Sequence, residues 1–293
     1  MALHVGISGW TYAGWRGVFY PAGLPHRREL EYVARRFDTV EINGTFYSMQ
    51  RPESFRAWRE QTPPGFTFAV KASRFITHML KLRRCRTALA NFFASGVLAL
   101  QDKLGPLLWQ LPAQVRFHAD VIEQFLELLP RTTAEAARLA REHDARVEKR
   151  SFLGPVRNRR LRHAFEVRHE SFLCRGFLGL LRRHRAALVV ADTAGIWPYA
   201  EDVTADFVYV RLHGTGQIYA GGYGPEAIEW WARRIEAWRD GGEPAGAIRA
   251  GGPAPRRTSR DVYVYFDNDA KVRAPFDAQA LAARLGARSG SGR

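Results

Sequence analysis

Short runs of β-branched and aromatic residues recur along the chain with room for a helix between each pair, and this rhythm constrains the fold more than any other feature. The runs are Leu3–Ser8, Thr39–Ile42, Phe66–Lys71, Pro106–Leu111, Ala164–Arg168, Ala187–Asp192, Phe207–Leu212 and Val262–Phe266. Several are almost continuously apolar, as parallel strands covered by helices should be. Between them, Glu29–Phe37, Pro52–Gln61, Asp120–Leu129, Phe172–His184 and Pro225–Trp238 carry apolar residues at three- and four-residue spacing, the pattern of a helix with one buried stripe. Strands alternating with helices predict a parallel sheet, and eight repeats predict its closure into a TIM-like (β/α) barrel. The 293 residues fit a single barrel domain over 1–285, followed by a flexible C-terminal tail over 286–293.

The polar residues are distributed with a direction. Glu41 and Asn43 end the second run, Lys71 the third, Gln110 the fourth, Glu166, Arg168 and His169 the fifth, Asp192 the sixth, Arg211 and His213 the seventh, and Asp267, Asn268 and Asp269 the eighth. In a (β/α) barrel those C-terminal ends form the active face. The expectation is a polar, enzyme-like pocket there.

Several chemistries fit this set. Glu41 and Glu166, joined by Asp192, could divide acid and base work as paired carboxylates do in glycoside hydrolysis; alternatively Arg168, Arg211 and Lys71 neutralise them in a fixed ion-pair network. Lys71 follows an apolar strand, so desolvation could lower its pKa enough for Schiff-base or general-base work, although a lysine so placed more often binds an anion. Arg168, Arg211, Lys71, His78 and His213 read together as a cradle for a carboxylate or phosphate. Trp10, Tyr12, Tyr47 and Tyr219 supply faces for a sugar or base to stack on. The glycines at 214, 216, 221, 222 and 224, with Tyr219 and Tyr223, suggest a lid or phosphate loop after the seventh strand. On this reading Glu41, Glu166, Lys71 and Asp192 are the catalytic candidates. The substrate-binding set is Trp10, Tyr12, Asn43, Tyr47, His78, Gln110, Arg168, His169, Arg211, His213, Tyr219 and Asn268.

No cofactor is predicted. His78, His169 and His213 with the carboxylates hold enough donors for a divalent metal, which keeps a metal-dependent hydrolase or isomerase open, but no HxH or HExxH spacing supports it and three cations would crowd the ion. There is no GxGxxG, Walker or serine-elbow motif. Cys85 and Cys174 are too far apart in sequence to suggest a zinc site and too few for a disulfide framework.

The formal net charge of +15 raises nucleic acid as a partner. Only five of the 44 basic residues are lysines (Lys71, Lys81, Lys103, Lys149 and Lys271), and the arginines are scattered over helices and loops. The one dense stretch, Arg157-Asn158-Arg159-Arg160-Leu161-Arg162, lies in a long crossover and reads as a solvated loop. A small polar or anionic molecule is therefore the favoured partner, with nucleic acid the alternative. No apolar run reaches eighteen residues and no secretory signal is visible, so a cytoplasmic, membrane-free location is expected.

Gly6-Ile7-Ser8-Gly9-Trp10-Thr11-Tyr12 with Phe19-Tyr20-Pro21, and Val40-Glu41-Ile42-Asn43-Gly44-Thr45-Phe46-Tyr47, resemble the opening blocks of the YecE-like domain-of-unknown-function family. Later stretches resemble that family's blocks in order: Phe68-Ala69-Val70-Lys71-Ala72, Glu166-Val167-Arg168-His169, Tyr209-Val210-Arg211-Leu212-His213-Gly214 and Tyr263-Val264-Tyr265-Phe266-Asp267-Asn268-Asp269. The resemblance implies a TIM-like barrel and supplies no reaction. It also marks two departures: Asp267 stands where the family pattern has asparagine, and Asp277-Ala278 where Asn-Ala is usual.

Overall fold

The computed structural model describes residues 2–287; the tail positions 288–293 lie outside the described residues. Eight parallel strands close into a barrel in sequence order: β1 (Leu3–Ser8), β2 (Thr39–Ile42), β3 (Thr67–Lys71), β4 (Leu104–Gln110), β5 (His163–Glu166), β6 (Ala187–Asp192), β7 (Phe207–Leu212) and β8 (Asp261–Phe266). The ring closes where β1 pairs β8, from Leu3 opposite Val262 to Ile7 opposite Phe266. Each predicted run became a strand. The boundaries moved at four of them: β3 and β8 shift their starts by one residue, β4 begins two residues before Pro106 and ends one before Leu111, and β5 runs from His163 to Glu166, leaving Arg168 and His169 in the loop beyond.

Helices at Glu29–Ala34, Pro52–Glu60, Ala119–Leu128, Arg175–His184 and Pro225–Arg239 occupy the expected intervals. Proline at the first or second position starts the helices at Pro52 and Pro225, where its missing N–H removes nothing from the helix ladder. Arg86–Ala94 and Ala274–Leu285 are also helical, although neither was expected. Leu89 to Ala94 are all buried, so that helix has no polar face to give the sequence an amphipathic rhythm.

Two apolar layers result. The larger lies between strands and helices; the smaller fills the barrel lumen with Ala69, Leu108, Ala164, Ala187, Val189, Ala191, Phe207, Tyr209, Tyr263 and Tyr265. Small alanines on β3, β5 and β6 face large aromatics on β7 and β8, which lets the lumen fill without voids. Among the strand glycines Gly6 marks the tightest approach: a Cβ there would fall 2.2 Å from the Thr39 carbonyl oxygen. No helix among the described residues is long and apolar enough to cross a membrane.

Candidate functional site

Strand side chains alternate between faces, so a residue two positions beyond a lumen residue also points inward. That parity builds the site. Thr39 leads to Glu41, Ala69 to Lys71, Leu108 to Gln110, Ala164 to Glu166, Tyr209 to Arg211 and Tyr265 to Asp267. The apolar lumen is thereby capped with a polar layer at the C-terminal ends of the strands.

Arg211 is the hub of that layer and is wholly buried. Its Nε and Nη2 donate to Glu41 at 3.1 and 2.8 Å, Nη1 donates to Glu166 at 2.7 Å, and Nη2 also donates to Asp267 at 2.8 Å. Tyr209 donates its hydroxyl to Glu41 at 2.6 Å, and Ser8 donates to the other oxygen of the same carboxylate. Glu166 also accepts from Gln110 at 2.8 Å and Arg168 at 3.0 Å. His213 lies with Nε2 3.2 Å from Arg211 Nη1, and its Nδ1 is 3.1 Å from Asp267. A guanidinium cannot accept, so Nε2 is the acceptor and the ring proton sits on the Asp267 side. Burial opposes charge on Glu166, yet Arg211 and Arg168 together outweigh it and hold the carboxyl well below its usual range. Asp267 is lowered in the same way, burial being overcome by Arg211 and His213.

Above this layer opens a cleft of about 980 Å³. Trp10, Tyr12, Asn43, Tyr47, Lys71, His78, Gln110, Arg168 and Tyr219 line it, together with Asp267, Asp269 and Arg74. Arg168 stacks on Trp197 with its guanidinium carbon 3.6 Å from the ring centre, and it donates to the Tyr219 hydroxyl at 3.3 Å. Tyr12 and Asn43 are fixed through Ser8, the first donating to its carbonyl and the second to its hydroxyl, each at 2.7 Å. Tyr47 stands at the rim, 69% exposed.

Lys71 differs from its neighbours. It is 6% exposed, and among the described residues its amine has no hydrogen-bond or ion-pair partner; Nζ lies 4.4 Å from the centre of the Phe46 ring. Burial, then the nearby Arg211 charge, pulls its pKa down to about 8. His78 packs edge-on against the same Phe46 ring at 5.0 Å, and burial, then Arg168 and Arg74, lowers it to about 4. Its Nδ1 is 2.8 Å from the Thr77 hydroxyl, an arrangement set by the π-helical turn Phe75–Met79. Asp269 moves the other way, raised to about 6 by burial and by the charge on Asp267.

Several sequence expectations are corrected here. Glu41 and Glu166 are brought together, but as neutralised members of a buried network beneath the cleft; neither lines it, so they do not form an accessible acid–base pair. Arg211 and His213 likewise lie under the floor, leaving Lys71, Arg168 and His78 as the part of the cradle that reaches the cleft. Asp192, His169 and Asn268 have the outward parity. Asp192 accepts from Tyr223, His169 turns to Ser171 at 2.9 Å, and Asn268 donates to Asp277 on the last helix at 2.8 Å. The glycine-rich segment after β7 is wound on itself: Tyr219 N–H returns to the His213 carbonyl, and a Cβ on Gly221 would sit 1.8 Å from the Thr215 oxygen. That is a compact turn that places Tyr219 over His213, not an open lid. Among the described residues no three His, Cys, Asp or Glu side chains are grouped to hold a metal ion.

Sequence reasoning missed Ser8 and Arg74, and it set Asp267 and Asp269 at the active face without choosing them as site residues. Ser8 ends β1 just as the chosen residues end their strands, and Asp269 follows Asp267 at the same parity, so both signals were present. Arg74 stands at the start of the helical turn Phe75–Met79, beyond the end of β3, and carried none.

The basic stretch lies at the other end of the barrel. Arg159 donates to the carbonyls of Gln101 and Asp102, Arg160 to Asp206 at 2.5 Å, and Arg162 to the Tyr263 hydroxyl while pairing with Asp261 at 2.8 Å. Three of its four arginines therefore tie the crossover to the N-terminal ends of the strands.

The sequence pattern of the family described as "Protein of unknown function DUF72" matches residues 4–291. The chain belongs to that family. UPF0759 protein YecE of Escherichia coli (strain K12) is 32% identical over 111 residues, 38% of each chain, and UPF0759 protein YunF of Bacillus subtilis (strain 168) is 29% identical over 75 residues, 26% of each. These alignments span well under half the length of the curated relatives. A DUF72 family protein from Thermotoga maritima MSB8 superposes with a TM-score of 0.72 at 23% identity, over 98% of this chain and 100% of the other. One from Enterococcus faecalis V583 gives 0.68 at 14% identity, over 99% and 98%. The barrel expected from the strand rhythm is thus shared with these structures across nearly the whole chain, at identities that speak to fold alone.

Proposed function

We propose that this DUF72 barrel is an enzyme acting on a small, polar, anionic molecule in the cleft above its strand ends, with Lys71 as the working amine and Arg74 and Arg168 as the anion binders. One observation carries the reading: Lys71, a buried lysine whose amine has no partner among the described residues, opens into a cleft that also presents the guanidiniums of Arg27, Arg74 and Arg168 and a line of aromatic walls. An anion settling beside Lys71 would supply the counter-charge that the amine lacks. Glu41 and Glu166 then serve to fix Arg211 and Arg168. Hydrolysis by Glu41 and Glu166 loses its support, because that mechanism needs one carboxyl protonated beside an ionised partner, both reaching the substrate, whereas Arg211 and Arg168 hold Glu166 ionised and neither glutamate lines the cleft.

The test is thermal unfolding of the whole protein against phosphate, sugar phosphates, small carboxylic acids, nucleotides and short oligonucleotides, repeated with Lys71→Met and Arg168→Gln. A ligand at a hundredfold its Kd stabilises the native state by about 2.7 kcal/mol. Small anions that stabilise the wild type and lose their effect in both variants support the reading. If only oligonucleotides act, with a salt-sensitive effect untouched by either substitution, the cleft is not the binding site.

A further inference from the structure

We infer that Lys71 is a Schiff-base lysine and that the cleft takes small oxo acids, molecules carrying a carbonyl and a carboxylate together. This rests on the anion-cleft reading above and names the substrate class of the same site.

An amine that only bound anions would do so best fully charged and flanked by water or donors. Lys71 is instead held against the Phe46 ring at the floor of the cleft, with Arg211 beneath it. Burial and the Arg211 charge pull toward the uncharged amine, the nucleophile in imine formation, while the face of the Phe46 ring offsets part of that pull. Arg74 is exposed and has no ion-pair partner among the described residues, and Arg168 reaches the same cleft from the β5 side; the charges of both, and that of Lys71, are felt by His78. All four side chains line that one cleft, so a single small molecule held in it can place its carboxylate on a guanidinium and its carbonyl on the amine. His78 is uncharged near neutrality and shares the Phe46 ring with Lys71, which makes it the relay for protons moving between nitrogen and oxygen.

The step balances without an oxidant or reductant. The Nζ lone pair adds to the carbonyl carbon while the C=O π pair moves to oxygen, giving a carbinolamine. The nitrogen then gives up its two protons, which depart with the oxygen as water, and its lone pair closes the C=N bond. The resulting imine, when protonated, draws electrons from the adjacent carbon, the usual purpose of a lysine Schiff base.

The scarcity of lysine makes the test clean. The full-length protein is incubated at pH 7 with glyoxylate, pyruvate or 2-oxoglutarate and cyanoborohydride, which reduces an imine to a stable secondary amine, and the modified lysine is located by peptide mass mapping. Lys81 and Lys149 are exposed and report non-selective reaction; Lys103 is buried in contact with the Arg59 and Thr62 carbonyls. The expected result is stoichiometric modification of Lys71 on the order of tenfold or more faster than at Lys81 or Lys149, since the cleft holds the oxo acid beside an amine whose pKa is lowered to about 8. Modification that follows exposure and spares Lys71 overturns the inference. Lys71→Met should abolish the fast phase, and Lys71→Arg controls for loss of charge. Lactate and malate separate the two readings: stabilisation by these hydroxy acids with Lys71 still untrapped retains the anion cleft and removes the Schiff base. Failure of both oxo and hydroxy acids to stabilise the protein removes both.

Discussion

Replacing Lys71 by methionine should stabilise this protein, and the gain should shrink as pH rises. The ammonium is desolvated and unpaired, and its pKa falls from 10.5 to about 8 on folding. Below pH 8 both folded and unfolded chains carry the proton, so the folded state bears the full penalty of about 3 kcal/mol. Between about 8 and 10.5 the unfolded chain binds more protons than the folded one, so wild-type stability rises with pH through that window. Methionine fills a similar volume without a charge. The expected advantage of Lys71→Met is then about 3 kcal/mol at pH 7, about 2 at pH 9 and under about 0.5 at pH 10.5. For a chain of this length that is a rise in Tm of roughly 5 °C at neutral pH. Urea unfolding of both proteins across that pH range, read by fluorescence and far-UV dichroism, measures it directly. A variant that is less stable at pH 7, or a difference that does not change with pH, would refute the reasoning and mean that the amine is paired in solution.

Three further outcomes follow from the same geometry. Arg211→Gln leaves three buried carboxylates without their shared cation and should lose about 3–5 kcal/mol in chemical denaturation; adding Glu41→Gln should recover part of it, and strictly additive losses would argue against a coupled network. Asp269, raised to about 6, favours folding while protonated, so its contribution to stability falls as pH rises from about 4 through about 6. Anion affinity measured by calorimetry should accordingly tighten several-fold, about threefold to tenfold, between pH 7.5 and 5.5, and Asp269→Asn should flatten that profile. Gly6→Ala places a methyl against the Thr39 carbonyl and should destabilise the barrel by about 3 kcal/mol, whereas Gly179→Ala, with open space around it, should be near neutral or stabilising.

The barrel was legible because each strand carries its own signal of β-branched and aromatic residues, and because the intervals between runs suit helices. What failed was mainly a matter of parity. Reading strand ends alone put Asp192, His169 and Asn268 in the pocket. Counting by twos from the lumen residues turns each of them outward, keeps Asp267 and Asp269, and brings Ser8 in. The helix Arg86–Ala94 was invisible for a different reason, since burial on all sides erases amphipathic rhythm. Arg211 was recognised as a site residue, but the sequence cannot say that one guanidinium would engage three carboxylates, for that depends on how strands distant in the chain meet. The same holds for Lys71: its apolar strand foretold burial, while the absence of a partner is a property of the assembled barrel.

The partners of Arg211 lie 170, 45 and 56 residues away along the chain, on β2, β5 and after β8. No contiguous fragment shorter than 41–267 contains them all. A half-barrel ending before β7 would bury or strand two acids with no Arg211, and one beginning after β2 would hold the arginine without Glu41. Autonomous half-barrels are therefore disfavoured, and assembly should be strongly all-or-none. Dividing the gene into two separately expressed halves should yield pieces that fold only when mixed, whereas linking the end of the helix Ala274–Leu285, which packs on β1, to the segment before β1 and opening the ring at an exposed helix loop should leave a foldable circular permutant.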